Sequence, residues 1–553
     1  MILNLNRRIL TSLIGLFLLV IFGINYAFYN ASLTDYLGPS ARQKFASIIS
    51  SHDGVGDGVG VDTDDDYIES KGDRGYDWCS RVGGHRWVDE LSSTWAVSCG
   101  EPISHINYAN RNRKPMLSEN ISTSSLLCFQ VQIEGDPDNF CVARNALYDP
   151  DPPQKPPVNP KDLFPEHGIT AGAGKKTKKD KSKRSSSPAN GLIAAREVMK
   201  PWQLSCSPNT EWDRGVQAPS KFRRYFSDTG VGVQLKTEWE LNNKAPKVEK
   251  EEECTKSIMI VGLEGNGNIW HTLMEVWSGF LTMDVLRQAE RARMKLFGKG
   301  KENERIWDEE NVELYIEKNL DTEKKASPWF DMWTLVTGKE PKPIGELKKG
   351  CYKSVILPLA GGANPFWKDH WKERTCQRST LVDEFVDKIF NAHGVEDSAV
   401  PTLEKVTVRF ISRSHNRKII HMEEYMRKLE KQFPNVRFEV AKLETMNITQ
   451  QLEWAKQTDI LVGVIGAGMT HTMFLREGAA VVELMHPEPF WYFGFGNLAR
   501  ARRLEYFAMH GDKSKGDVKD WQADDVLVPE AQFMETMTRA VEGQIERKNR
   551  MRR

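Results

Sequence analysis

Residues 458–471, TDILVGVIGAGMTH, decide the fold of this chain. A run of buried-strand residues ends in Gly466-Ala467-Gly468, and a helical pattern follows, which predicts a strand, a tight turn and a helix. Glycines let the backbone approach a ligand, and the first amides of a helix attract anions. We therefore expect this turn to hold a diphosphate. The alternative is a turn whose glycines serve packing alone, and the spacing disfavours a dinucleotide cofactor because it is not G-x-G-x-x-G.

The sequence on both sides of this turn alternates between strands and helices. Apolar, β-branched strands separated by amphipathic helices are typical of a parallel sheet covered on both faces. The pattern predicts a Rossmann-like domain over residues 405–553. Its strands are expected at 406–411, 436–441, 460–465, 480–484 and 505–508, and its helices near 420–432, 449–456 and 497–503 and from Met469.

A second strand, turn and helix precede this domain. Ser257 to Val261 reads as a short buried strand, Gly262 to Asn268 as a glycine turn, and Ile269 to Leu286 has helical apolar spacing. Further apolar segments at 329–336 and 354–359 continue the pattern. We expect a second α/β domain over residues 78–404.

The N-terminus predicts a membrane anchor. Ile9 to Phe28 is a charge-free apolar run long enough to span a bilayer. Arg7 and Arg8 precede it, which predicts a cytosolic tail at 1–8, a signal anchor at 9–28 and a type II protein with its catalytic region in the lumen of the Golgi or endoplasmic reticulum. A cleaved signal peptide is the alternative, although no A-x-A-like cleavage site follows.

Two stretches have the composition of disordered sequence, namely a stem at 29–77 and a basic insertion at about 149–188.

Four of the eight cysteines lie between Cys79 and Cys141, which predicts disulfides within an N-terminal subdomain but leaves the pairing open. Lys and Arg total 76, as do Asp and Glu, so the net charge of zero does not indicate a nucleic-acid partner. Sequons at Asn30, Asn120 and Asn447 are candidate glycosylation sites, Asn30 lying close to the predicted membrane.

Basic side chains follow the first strand of the C-terminal domain. Arg413 and Arg417 lie where open α/β sheets bind ligands, and two arginines there can fork onto phosphate oxygens. A solvated basic loop is the alternative. Glu483 ends a later strand beside the same crevice and is a candidate acceptor for ribose hydroxyls or a structural carboxylate.

Three motifs together resemble glycosyltransferase family 61: Ser412-Arg413 to Ile419, Gly466 to Leu475, and Asn268-Ile-Trp-His271. The resemblance implies a GT-B-like pair of Rossmann-like domains, with the nucleotide sugar on the C-terminal domain and the acceptor on the N-terminal one. It adds His471 to the donor site. It also implies inverting transfer of xylose or N-acetylglucosamine from a UDP-sugar to a glycan or glycoprotein.

An inverting transfer needs a general base for the acceptor hydroxyl. His271 and Glu275, four residues apart on one helical face, are candidates, and Asp331 is a third, although a structural role is the alternative for each.

No D-x-D follows a strand in the catalytic half, so we expect no obligatory metal ion. No G-x-S-x-G elbow supports a hydrolase. A catalytically inactive glycan- or nucleotide-sugar-binding protein is the alternative, because Ile465 and His421 depart from the family pattern.

Overall fold

The computed structural model describes part of the chain, all within the compact unit Arg74–Arg553. The predicted anchor, the stem, Asn30, Asn120 and most of the basic insertion lie outside the described residues. Among the described helices, none is both long enough and apolar enough to cross a bilayer. The described residues are 78–100, 124–132, 137–151, 200–208, 216–225, 228–244, 248, 254–265, 267–297, 311–317, 320, 324, 327–368, 370–396, 405–487, 492–512 and 524–553.

The N-terminal half is built on a nine-stranded mixed sheet. Its strands are β1 (Trp95–Cys99), β2 (Ser125–Val131), β3 (Asp138–Tyr148), β4 (Trp202–Leu204), β5 (Trp239–Leu241), β6 (Lys256–Val261), β7 (Glu313–Ile316), β8 (Lys342–Pro343) and β9 (Gly350–Leu357). The helices of this half are α1 (Trp78–Arg81), α2 (His85–Ser93), α3 (Val231–Glu238), α4 (Ile269–Phe297), α5 (Thr334–Thr337), α6 (Pro365–Lys368) and α7 (Thr380–Ala392).

The order of the main path is β1-β2-β3-β9-β6-β7-β8. Only β6 to β9 form the parallel arrangement expected of a Rossmann-like domain, while β1, β2 and β3 extend it as antiparallel strands. The expected Rossmann-like α/β arrangement is therefore confirmed for β6 to β9, but the sheet of this half as a whole is mixed. The extension escapes a pattern search because β2 is buried at every position and shows no alternation.

The C-terminal half has a five-stranded parallel sheet with β10 (Thr407–Ile411), β11 (Arg437–Ala441), β12 (Ile460–Val464), β13 (Ala480–Met485) and β14 (Glu505–His510). The order β11-β10-β12-β13-β14 is a doubly wound topology, so the predicted Rossmann-like sheet is confirmed. The segment after Gly466 is a 3₁₀ helix, Ala467–Phe474, rather than the expected α-helix, and it is buried from Met469 onward. The α-helices of the C-terminal half are α8 (Met422–Gln432), α9 (Ile448–Lys456), α10 (Gly494–Ala501) and α11 (Glu530–Arg552).

One hydrophobic core runs through both halves. It joins side chains of α2, α4 and α7 to side chains of β10 and β12, and a second, smaller core covers the opposite face of the N-terminal sheet under α3. The predicted domain boundary between residues 404 and 405 stays a prediction, since the core itself does not break there.

All eight cysteines form disulfides, which confirms the oxidised framework. Only Cys128–Cys141 joins two of the four N-terminal cysteines, so the expectation of a local staple is wrong. The other bonds tie segments of the chain together that are about 97 to 297 residues apart. These bonds are Cys79–Cys376, Cys99–Cys206 and Cys254–Cys351.

A buried carboxylate fixes α11 to the C-terminal sheet. Asp459, which precedes β12, is fully buried and pairs with Arg476 and, at 2.7 Å, with Lys548 of α11. It also accepts the amide of Thr407 at 2.8 Å. The strand starts on this side of the sheet are therefore held by one charged group and its two cations.

We expect Asp459→Ala to lower the free energy of unfolding by about 3–5 kcal/mol, because Lys548 and Arg476 would keep their charges without a counter-ion. Urea denaturation followed by circular dichroism measures the change. Glu546→Ala, which removes an exposed partner of Arg550 on the same helix, should change stability by less than about 0.5 kcal/mol. Equal effects of the two substitutions would contradict the role of Asp459.

Candidate functional site

The crevice of the C-terminal sheet lies where the strand order reverses. β10 and β12 are adjacent and parallel, and the chain leaves them toward opposite edges of the sheet. Arg413 and Arg417 follow β10, and the turn Gly466-Ala467-Gly468 follows β12. The structure therefore brings these five predicted donor-site residues to one place.

Two guanidinium groups converge on Gly466. A Cβ atom added there would lie 2.7 Å from Arg417 Cζ and 2.9 Å from Arg413 Nη1. Gly466 has a φ of 144°, a conformation that side chains rarely adopt. Arg417 Nη1 donates to the carbonyl of Ile465 at 3.1 Å, and Arg413 Nε donates to that of Asn416 at 3.0 Å. Glycine is required here both by the backbone and by the arginines.

The positive charge of Arg413 is not neutralised by a direct ion pair with a described residue. Within the described ranges Arg413 makes no ion pair, and burial lowers its pKa, a shift that the charge of Glu444 opposes. Two cations held close together repel each other unless an anion lies between them. The 3₁₀ helix that begins at Ala467 adds backbone amides without an intrahelical acceptor, which suits the same anion.

A cavity of about 460 Å³ opens beside Arg413, between the arginine loop and the start of α8. Sequence reasoning missed it, since no motif marks a cavity. The nearest signal is His421, which adopts a positive φ of 63° just before α8 and so turns the chain sharply. The side chains that line the cavity include Ser412, Arg413, Lys418, His421, Glu423 and Arg427.

The structure places the other two predicted donor-site residues behind the turn. His471 is buried, with Nδ1 2.8 Å from the carbonyl of Gly468 and Nε2 2.9 Å from Gln451 Oε1, and burial lowers its pKa to about 4. Glu483 is also buried and accepts the hydroxyl of Tyr506 at 2.6 Å. Burial raises the pKa of Glu483 to about 8, so its carboxyl is mostly protonated at neutral pH.

The N-terminal sheet has its own reversal point, between β6 and β9. Glu275 of α4 is buried there, and its Oε1 accepts the amide of Glu264. The carboxylate of Glu264, fully buried in the glycine turn after β6, accepts the amide of Gly362 at 2.9 and 3.0 Å. Two carboxylates thus tie helix α4, the turn after β6 and the loop at Gly362 together. Sequence reasoning missed Glu264, although it lies inside the turn that the pattern marked.

His271 lies one helical turn from Glu275 and is partly exposed. Its ring centroid is 4.4 Å from that of Trp367, and a Cβ at Gly265 would lie 2.6 Å from its Nδ1. Burial lowers the pKa of His271 to about 4, opposed by a hydrogen bond to the backbone of Glu264. The imidazole is therefore neutral at physiological pH and able to accept a proton.

Asp331, the third candidate base, is not brought to this place. It is exposed on the 3₁₀ helix Pro328–Trp333, where its charge raises the pKa of His393 against the lowering effect of burial. Asn447, the candidate glycosylation site within the described residues, is exposed and caps α9 through Oδ1. The described residues contain no cluster of three or more His, Cys, Asp or Glu placed to bind a metal ion.

We expect Gly466→Ala to weaken the binding of inorganic pyrophosphate at least about tenfold, since the new methyl group would displace both guanidinium groups. Isothermal titration calorimetry measures the affinity. Gly345→Ala is the matched control because an added Cβ there meets no atom within 4 Å. Unchanged pyrophosphate affinity in a folded Gly466→Ala protein would remove the turn from the anion site.

A sequence profile described as Glycosyltransferase 61 matches residues 292–482, a range that contains both arginines and the glycine turn. The EGF domain-specific O-linked N-acetylglucosamine transferase of Drosophila melanogaster is 29% identical over 212 residues, 37% of this chain and 37% of that protein. The protein of the same name from Xenopus laevis is 32% identical over 143 residues, 25% of this chain and 26% of its own length. The matched part thus spans 37% of the first relative and 26% of the second.

Two solved structures have a weaker likeness. The E. coli ADP-heptose lps heptosyltransferase II aligns with a TM-score of 0.24 and 9% identity, covering 54% of this chain and 100% of its own. A glycosyl transferase family 9 structure from Veillonella parvula aligns with a TM-score of 0.21 and 8% identity, covering 53% and 98%. Scores this low do not establish a shared fold.

Proposed function

We propose that this chain, which belongs to glycosyltransferase family 61, transfers a sugar from a UDP-sugar to a hydroxyl group of a glycan or glycoprotein. The observation that carries the proposal is the convergence of Arg413 and Arg417 on Gly466 at the reversal point of a doubly wound sheet. Such a point is where open α/β sheets bind nucleotides, and fixed cations there suit a pyrophosphate.

The donor site follows from this geometry. The two guanidinium groups and the amides of Ala467 and Gly468 hold the pyrophosphate and stabilise the negative charge that develops as UDP departs. The cavity of about 460 Å³ beside Arg413 offers room for the nucleoside. The names of the relatives favour N-acetylglucosamine over xylose as the sugar.

The acceptor site lies at the reversal point of the N-terminal sheet in this proposal, and the two crevices face each other as in a GT-B enzyme. The acceptor oxygen attacks the anomeric carbon, the bond from that carbon to the UDP oxygen breaks, and His271 takes the hydroxyl proton. The configuration at the carbon inverts. Glu275 and Glu264 act as positioning residues, because their oxygens accept backbone amides that fix the loops around His271.

We place this reaction in the secretory pathway, with the chain anchored by residues 9–28 in the membrane of the Golgi or endoplasmic reticulum and the catalytic region in the lumen. Two observations support the placement. All eight cysteines are paired, which is typical of an oxidising compartment. The exposed sequon at Asn447 is accessible to glycosylation.

We expect Arg413→Ala to weaken UDP binding by at least about tenfold, because a charge-assisted fork to phosphate is lost. Isothermal titration with the folded lumenal part measures this affinity, with and without EDTA, and we expect no dependence on the chelator. Arg86→Ala, which removes an exposed arginine of α2, is the control. Affinity that survives in Arg413→Ala would discard the phosphate role, and affinity lost in EDTA would reject a metal-independent site.

We expect His271→Gln to lower kcat by about 10²–10⁴-fold while UDP still binds, because the general base is lost. The base works in its neutral form, and its pKa is lowered to about 4, so that form persists until the pH falls through about 4. Wild-type kcat/KM should therefore stay level between about pH 5.5 and 7.5 rather than fall near 6.5, the usual histidine pKa.

Initial rates of UDP release across this pH range measure the profile. An acid limb near pH 6.5 that disappears in His271→Gln would show a histidine with an ordinary pKa and contradict the buried base. Glu275→Gln is the companion variant, since it alters a positioning contact and should leave the shape of the pH profile unchanged. A wild-type protein that binds UDP but neither hydrolyses nor transfers the sugar would instead be a nucleotide-sugar-binding protein.

A further inference from the structure

A short segment of the N-terminal half, residues 365–368 and 370–372, contacts the C-terminal half, and we call this segment the bridge. It leaves the carboxyl end of β9, forms α6 and then meets the start of α10, where the carbonyl of His370 accepts the amide of Phe493 at 2.8 Å. Both contacts lie at the carboxyl ends of strands, which is the side of each sheet that carries the candidate site. The bridge therefore lies on the same side of each sheet as the candidate site.

The bridge exposes a tryptophan. Trp371 is 57% exposed, and the other large apolar side chains exposed among the described residues are Val440 and Met551. The Trp371 ring is held edge-to-face by Tyr492, with centroids 5.6 Å apart at 88°, and by His370 at 4.7 Å and 65°. The indole is thus fixed in orientation and open to water, so its ring face is available to a ligand.

A series of aromatic contacts connects this ring to the candidate base. Tyr492 lies 5.5 Å from Phe495, and Phe495 lies 5.2 Å from Trp270, the neighbour of His271 in α4. On the bridge itself, Trp367 contacts the ring of His271 at 4.4 Å. Trp371 thus lies four residues along the chain from Trp367, the ring that contacts the candidate base.

We propose that Trp371, supported by Tyr492, is a stacking platform for a pyranose ring of the acceptor saccharide. This inference rests on the proposed function and adds the chemical class of the acceptor. A pyranose presents an apolar C–H face that covers an indole and polar edges that stay hydrated, which matches one exposed ring among polar neighbours. The donor sugar is attached to the pyrophosphate at Gly466, so the outward-facing bridge suits the acceptor.

A protein partner or a lipid surface fits these observations less well. A stable protein interface has a core of several apolar residues, whereas Trp371 is followed by exposed Lys372 and Glu373. Val440 lies on the edge strand β11 and Met551 at the end of α11, so neither extends the bridge into a patch. Among the described residues of the bridge, Trp371 is the exposed large aromatic ring, and it matches a single sugar ring in size.

Fluorine NMR of the folded lumenal part labelled with 5-fluorotryptophan tests the platform directly. The resonance of Trp371 is identified among those of the 16 tryptophans by its absence from Trp371→Phe protein. The probes are methyl β-xyloside, methyl β-N-acetylglucosaminide and an N-glycosylated glycopeptide. We expect the Trp371 resonance to shift, with saturation, on addition of at least one of them.

Saturation transfer to the same probe gives the affinity of each variant. We expect Trp371→Ala to raise the dissociation constant at least about tenfold and Trp371→Phe to raise it less, since phenylalanine keeps a smaller ring face. Val440→Ala, which removes exposed apolar surface elsewhere, should have no effect. UDP binding should be equal in all of these variants.

A Trp371 resonance that no saccharide moves would overturn the platform, as would one moved only by phosphatidylcholine vesicles. Equal saccharide affinity in Trp371→Ala would do the same. UDP affinity is measured on the same samples and does not involve Trp371. Failure of the platform with UDP binding intact therefore leaves the proposed function standing, whereas loss of UDP binding from wild-type protein refutes that function.

Discussion

Two positive charges held over one glycine are the constraint on which the C-terminal half depends. Like charges at this separation repel, so the loop that carries them must be fixed by other contacts. Arg417 itself has a positive φ of 58°, a costly conformation for a side-chain residue. Backbone hydrogen bonds join Lys418 and Ile420 to Val526, and the carboxylate of Asp525 accepts the amide of Lys418. These bonds fix the loop that carries the arginines. The scaffold therefore maintains a local arrangement that a bound anion would relieve.

The two reversal points are built from opposite chemistry. The C-terminal one presents guanidinium groups and backbone amides, whereas the N-terminal one encloses the carboxylates of Glu264 and Glu275 beside a neutral imidazole. Cations at the first suit the charge that grows on a leaving phosphate. A neutral base beside hydrogen-bonded loops suits a hydroxyl that must lose its proton. A group-transfer reaction needs both chemistries on opposite sides of one reacting carbon.

Local patterning predicted the C-terminal sheet well, because its strands are short apolar runs between amphipathic helices. The same reasoning placed Arg413, Arg417 and Gly466 together, since parallel strand ends meet at one edge. It missed β1 to β3, whose two buried faces erase any alternation, and the partners of most cysteines, which depend on long-range pairing. The burial of His471 in the 3₁₀ helix and of Glu483 in β13 also escaped it, because a motif fixes residue order but not which side chains point inward.

Stability and chemistry occupy opposite ends of the same two strands, β10 and β12. Asp459 precedes β12 and bonds the first residue of β10, so the charged clamp with Lys548 lies where these strands begin. The arginines and Gly466 lie where the same strands end. A rigid start lets the other end carry strained backbone and clustered positive charge without loosening the sheet. Because the stabilising ion pairs and the candidate site lie at opposite ends of the strands, the loops at the carboxyl ends can vary in sequence and ligand without affecting the ion pairs that stabilise the fold.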